Sequence, residues 1–269
     1  MTPILFIDKL SIDADGKRLV SEVSVSVAPG ERVGLIGESG SGKSLTALAA
    51  IGLLSDGLKA KGSILLDGHQ VIGTRDRDLV PLRGTSAAVI FQEPLTALDP
   101  LMKIGQQIGE AVRRRARRDG RSADRHAVEV EVMDLLDQVA LPDPKRMARS
   151  WPHQMSGGQR QRAAIAMALA CRPKLLIADE PTTALDVTTQ AEILELLGRL
   201  VRDRGMALLF ISHDLPVVAS TVDRVVVLRH GQIVEQGTVG DVFRHPNHTY
   251  TQTLVAAARA FDTALGLPA

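Results

Sequence analysis

The sequence has 269 residues, 45% of them hydrophobic and 23% charged, the profile of an ordinary globular chain long enough for one large domain or two small ones. Its 32 basic and 31 acidic residues leave a net charge of +1, and aromatic residues make up 3%, so the totals neither draw it to nucleic acid nor offer a base-stacking platform. No apolar run approaches the roughly 20 residues of a spanning helix, and the opening MTPILFIDKL lacks the basic lead of an export signal; a cytoplasmic chain is expected.

Runs with β character at 4–12, 19–27 and 32–36, separated by Asp15-Gly16 and Pro29-Gly30, predict antiparallel strands leading into a core strand. A helical pattern occupies 43–54, and strand character returns at 64–66 and 87–91. Between about 96 and 152 the texture changes to polar helices at 104–118 and 123–139, closed by a turn region with Pro142 and Pro144. This predicts an all-helical insertion. Its arginine run, Arg113 to Arg118, reads as a solvated helix face, with a lipid-facing role as the alternative. After the insertion come a helix at 159–170, a strand at 175–178, a helix at 188–201, a strand at 207–211, a helix at 215–220 and a strand at 222–228. Such alternation implies a parallel sheet covered on both faces. A hairpin at Gly231 and a helix at 250–259 follow. The single cysteine, Cys171, excludes an intramolecular disulfide framework and reads as a small buried hydrophobe.

Gly37-Glu38-Ser39-Gly40-Ser41-Gly42-Lys43-Ser44 matches the P-loop pattern and lies between an apolar strand and an apolar helix. Glycines there let backbone N–H groups face phosphates, the helix N-terminus adds positive potential, Lys43 supplies a point charge, and Ser44 can ligate Mg²⁺. The buried run 175–178 ends in Asp179 and Glu180. Beyond the carboxyl end of a parallel strand is where ligands bind, so Asp179 is expected to hold Mg²⁺ and Glu180 to polarise the attacking water. Ser156-Gly157-Gly158-Gln159, just before the helix, reads as a second phosphate-binding helix terminus, with Ser156 as its N-cap.

Together these residues resemble the ATP-binding cassette family over about residues 4 to 255. The resemblance implies an α/β fold: a P-loop NTPase core with a mostly parallel sheet, an antiparallel N-terminal β subdomain and an inserted helical subdomain. It implies one ATPase domain over 1–269, with core and β subdomain at 1–95 and 153–244, helical insertion at 96–152 and a short tail at 245–269. It further implies that Ser156 to Gln159 close on ATP held by a second subunit, that Gln92 contacts Mg²⁺ and the attacking water, that Asp186 of the Ala184-Leu185-Asp186 loop communicates across the dimer, and that His213 contacts the γ-phosphate. Family members usually stack adenine on an aromatic residue near the first hairpin turn; residues 13–20 contain none, leaving Arg18, Leu19 or a residue elsewhere in the chain as alternatives.

Within the family, the stretches 91–100 and 178–188 and the tail His245-Pro246-Asn247-His248-Thr249-Tyr250-Thr251 are similar to the ATPases of bacterial dipeptide, oligopeptide and nickel importers. A surface helix anchored to the core by Tyr250 is the alternative reading of that tail, and the two readings are compatible. Many peptide members carry a longer cysteine-containing extension, and its absence here is closer to the nickel type. The expected cofactors are ATP and Mg²⁺. The expected partners are a second cassette, a paralogue in preference to an identical chain, two transmembrane permease subunits and an extracytoplasmic solute-binding protein, with no nucleic acid. The expected place is the cytoplasmic face of the inner membrane, held peripherally. A cassette ATPase acting on DNA or ribosomes is the competing reading; it lacks the long coiled-coil insertion or second cassette usual there.

Overall fold

The computed structural model describes residues 2–264 apart from Ser122 and Ala184. Strands β1 (Leu5–Ala14) and β2 (Lys17–Val27) form the expected hairpin. Asp15 and Gly16 at its tip have φ of 47° and 79°, the positive pair that a tight two-residue turn needs to match strand twist. Strand β3 (Arg32–Ile36) leaves for a second sheet, while β4 (Leu58–Leu66) and β5 (His69–Gln70) complete the first, in the order β2-β1-β4-β5, all antiparallel. Only 64–66 of β4 is evident as strand in the sequence, because its first half is mostly exposed and carries no apolar run.

The second sheet adds β6 (Ala87–Ile90), β7 (Leu175–Asp179), β8 (Ala207–Ser212), β9 (Arg224–Arg229) and β10 (Gln232–Thr238) in the order β10-β9-β3-β8-β7-β6. All neighbours are parallel except β10, which returns antiparallel to β9 through His230 and Gly231, both at positive φ. Alternation along β7 and β8 divides the core. Leu176, Ala178, Leu208 and Phe210 pack with the helical insertion, and Leu175, Ile177, Leu209 and Ile211 pack towards the antiparallel sheet and helix α1 (Lys43–Ala50). Burial of both faces makes these strands rigid mounts for whatever their ends carry.

Helix α1 stops four residues short of the expected 54. Gly52, at φ 66°, lets its own N–H reach Ala49 O and the Leu53 N–H reach Leu48 O, the paired bonds of a glycine-terminated helix. A short turn of helix, α2 (Asp76–Leu79), precedes β6. The insertion contains α3 (Ile104–Arg118), α4 (Arg125–Gln138) and α5 (Pro144–Arg149), the last of which occupies the expected turn region. Then follow α6 (Gly157–Leu169), α7 (Val187–Arg204), α8 (Leu215–Thr221), α9 (Val239–Arg244) and α10 (Thr249–Ala264). Among the described residues no helix is long and apolar enough to cross a membrane.

One expectation fails in part. Arg114, Arg117 and Arg118 are exposed, but Arg115 is 3% exposed, donating to Ala170 O at 2.9 Å and to Glu131 Oε2 at 2.5 Å. A guanidinium can be buried when paired and hydrogen-bonded, and helical periodicity turns position 115 inward alongside Val112 and Ala116. Cys171 is half-buried against Gly84, and burial pushes its thiol up, away from the reactive thiolate.

Candidate functional site

Residues 37–44 bridge β3 and α1 as expected. Gly37 (φ 147°), Gly40 (φ 78°) and Gly42 (φ 101°) hold backbone conformations that L side chains rarely adopt. A Cβ on Gly37 would meet Leu228 O at 2.2 Å, and one on Gly42 would meet a Val20 methyl at 3.0 Å. The loop is therefore wedged between the end of β9 and the first hairpin. The Gly231 N–H adds a bond to Ser41 O at 3.0 Å, and the Ser21 N–H donates to Gly231 O at 2.8 Å. Ser39 and the side chain of Glu38 face outward, whereas Ser41 is buried with its hydroxyl unpartnered.

Lys43, 4% exposed, turns back over its own loop and donates to Gly37 O at 2.7 Å and Glu38 O at 2.8 Å. Burial pushes its ammonium below the ordinary lysine range, against the opposing pull of Glu180, Asp179 and Glu38. Ser44 Oγ donates to Asp179 Oδ1 at 3.0 Å, joining loop to strand end across 135 residues. Asp179 is pushed up by burial and by neighbouring Glu180, despite the Ser44 hydrogen bond and Lys43. A carboxylate and a hydroxyl converging in a half-buried setting are the hard oxygen donors that suit Mg²⁺, whose remaining positions phosphate and water normally fill. The cradle of glycine backbone with a buried ammonium likewise fits a polyphosphate.

Glu180, just past β7, has φ 46°, a left-handed conformation that a non-glycine residue keeps only when its surroundings enforce it. Its N–H donates to Ile211 O at 2.9 Å. The carboxylate is held at both oxygens: Thr183 Oγ1 donates to Oε2 at 3.1 Å, and His213 Nδ1 lies 3.2 Å from Oε1. His213, exposed, follows β8, which neighbours β7 in register, Ala178 beside Phe210. Gln92, also exposed, follows β6, whose Ile90 pairs with Ala178. The structure thus brings Lys43, Ser44, Asp179, Glu180, His213 and Gln92 to one edge of one sheet.

Ser156 to Gln159 form a separate group. Ser156 caps α6 as expected, its hydroxyl accepting from Gln159 N at 3.3 Å while the Ser156 N–H donates to Gln159 Oε1 at 3.0 Å. Ser156 and Gly157 are exposed. Gly157 lies against Leu185, and a Cβ on Gly158 would meet Thr189 at 2.5 Å, so this helix terminus packs beside the loop that ends in Asp186. Asp186 caps α7, accepting from the Thr189 N–H at 3.0 Å and hydroxyl at 2.8 Å; Ala184 lies outside the described residues. At the hairpin tip Arg18 is engaged by Asp13, and Leu19 O packs against Gly231.

Sequence reasoning did not single out Thr183, although its hydroxyl was present in the motif, nor Gly231, read only as a hairpin turn. It also took Tyr250 for an anchor to the core in general, whereas its hydroxyl accepts from the Glu38 N–H of the loop at 3.0 Å.

A family model described as ABC transporter matches residues 20–183. The peptidoglycan transport ATP-binding protein YejF of Agrobacterium fabrum is 50% identical over 240 residues, covering 88% of this chain and 43% of that one. The glutathione import ATP-binding protein GsiA of Pectobacterium atrosepticum is 46% identical over 256 residues, covering 93% of this chain and 40% of that one. The chain therefore spans less than half the length of these two relatives. Among solved structures, a dimeric ATP-binding cassette in a post-hydrolysis state bound to ADP and Pi superposes with a TM-score of 0.77 at 26% identity, covering 87% of this chain and 98% of that one.

Proposed function

The chain belongs to the ABC transporter family, and from that premise we propose that it is the ATP-hydrolysing subunit of an importer for short peptides. The observation that carries this reading is the convergence of the Ser44–Asp179 and Glu180–His213 pairs at one sheet edge beside the Lys43 loop. Residues 37–44 bind the phosphates through backbone N–H groups other than that of Glu38, which Tyr250 occupies, and through Lys43, whose ammonium moves from its own loop carbonyls to the nucleotide. Ser44, Asp179 and Gln92 would hold Mg²⁺, which when bound would supply charge neutralisation at the phosphates. Glu180 accepts the proton of the water whose oxygen attacks the γ-phosphorus as the bond to the β-phosphate oxygen breaks, and His213 keeps the carboxylate oriented.

Ser156 and Gly157 are exposed at a capped helix terminus, with Gly158 and Gln159 half-buried behind them, which supports a role of all four on nucleotide held by a second cassette, with Asp186 beside them as the link between the two sites. Residues 96–152 act as a helical insertion into a core formed by 1–95 and 153–244, followed by the tail. The subunit sits peripherally on the cytoplasmic face of the membrane against two permease subunits, with cargo delivered by an extracytoplasmic receptor. Peptide is the cargo class proposed because the relatives are named for glutathione, itself a tripeptide, and for peptidoglycan, and neither is named for nickel. The test is ATP hydrolysis by the purified chain, alone and with its co-purified membrane subunits. Hydrolysis abolished by Glu180→Gln supports the proposal, and no hydrolysis in either preparation overturns it.

A further inference from the structure

The N–H of Glu38 points away from any ligand role, because it is already taken by a hydroxyl 212 residues further along the chain, Tyr250 Oη at 3.0 Å. The other backbone group of the same residue, Glu38 O, accepts from Lys43 Nζ at 2.8 Å and from the Ser41 N–H at 3.2 Å. One residue of the loop is therefore held at its amide by the C-terminal helix and at its carbonyl by the ammonium that serves the nucleotide. When Lys43 turns to a phosphate it gives up Glu38 O and Gly37 O, and Tyr250 remains as the side-chain restraint on that corner of the loop.

The hydroxyl is aimed by more than its own helix. Tyr250 is 5% exposed, and the Arg229 guanidinium lies 4.7 Å from its ring centre, a cation–π contact made by the same strand end whose Leu228 O backs Gly37. The segment before it is pinned by Glu235 of β10, which accepts from the N–H groups of Asn247 at 2.8 Å and His248 at 3.1 Å. The Tyr250 N–H in turn donates to His248 Nδ1 at 3.1 Å. A phenol that merely filled the core could satisfy its hydroxyl on any carbonyl. Here four interactions fix the residue and the segment before it so that its oxygen meets one particular N–H of the phosphate loop.

We propose that Tyr250 is a positioning residue of the nucleotide loop, so that the C-terminal segment forms part of the ATP site. This rests on the ATP-binding reading above. Tyr250→Phe in the full chain keeps the ring, its burial and the Arg229 contact and deletes only the acceptor. Binding of a fluorescent ATP analogue and ATPase kinetics are the readouts. The expected result is a Kd and KM raised about fivefold, the worth of one neutral hydrogen bond, with kcat at saturation and the melting midpoint close to wild type. Unchanged Kd and KM, whether or not the melting midpoint falls, overturn the proposal. Amide hydrogen exchange of the wild-type chain without nucleotide gives an independent readout. Glu38 is expected to be protected relative to Ser39 and Gly40, and exchange as fast as theirs removes the contact. A wild-type chain that binds no ATP analogue overturns the ATP-binding reading and the positioning role with it, whereas normal wild-type binding with an indifferent Tyr250→Phe overturns the positioning role alone.

Discussion

His213 Nδ1 lies 3.2 Å from Glu180 Oε1, and the two residues come from the ends of neighbouring parallel strands, β8 and β7. The imidazole and the Thr183 hydroxyl hold the two oxygens of one carboxylate, leaving it little rotational freedom. Glu180→Gln is expected to bind nucleotide within about twofold of wild type and to lower turnover by about 10²–10⁴, the usual worth of a positioned general base. His213→Ala is expected to fall in the same direction, and the double variant to be little worse than Glu180→Gln, because the two act as one unit. Single-turnover hydrolysis checks all three; additive losses would separate the two roles.

Lys43 is the buried cation of the loop. Lys43→Ala removes charged hydrogen bonds worth about 1.5–3 kcal/mol, so ATP binding is expected to weaken by about 10- to 100-fold. Titration of a fluorescent analogue measures it, and affinity within a factor of two of wild type would take Lys43 out of the phosphate contacts.

Gly37 has no room for a methyl group, since Leu228 O stands 2.2 Å from where it would go and φ is 147°. Gly37→Ala is expected to cost about 3 kcal/mol through backbone displacement and strain, read by urea unfolding, and to abolish nucleotide binding in the fraction that folds.

Ser156 caps an exposed helix terminus. Ser156→Arg fills that terminus with a bulky side chain and is expected to abolish nucleotide-dependent dimerisation of the Glu180→Gln background while leaving nucleotide binding by each chain intact. Light scattering with and without ATP decides it, and normal dimerisation contradicts the cross-subunit role.

Glu131 is the carboxylate that the buried Arg115 requires. The Arg115 guanidinium holds it below the ordinary glutamate value of 4.5, against burial and with help from Arg172. A depressed carboxyl contributes stability that is complete above its unfolded value and is lost as pH falls through the folded one. Glu131→Gln is expected to lose about 1.5–3 kcal/mol at pH 7, the worth of a hydrogen bond to a charged group. The gap between wild type and variant should then close as pH drops below 4.5; a gap constant with pH would assign the loss to packing.

Much of the architecture is present in short-range pattern. The P-loop between strand and helix, the acidic strand end, the Ser156 cap and the alternation of strands and helices after 157 all depend on spacing within about a dozen residues, which periodicity and cap chemistry encode directly. Two elements have too little local pattern to be legible, the exposed first half of β4 and the six-residue α5, while α1 errs the other way: its apolar pattern continues to Leu54, and Gly52 ends the helix sooner.

The sequence by itself determined which residues are the candidates for the proposed chemistry, because phosphate, Mg²⁺ and water activation each demand particular side chains at particular spacings in the chain. Only the tertiary structure decided which of them touch. That Arg115 is inside while Arg114, Arg117 and Arg118 are outside, that β9 and β8 flank β3, that His213 grips Glu180, and that Tyr250 holds the N–H of Glu38 are consequences of packing between segments 16 to 212 residues apart. Such pairings depend on how buried faces stack, and no local periodicity records them.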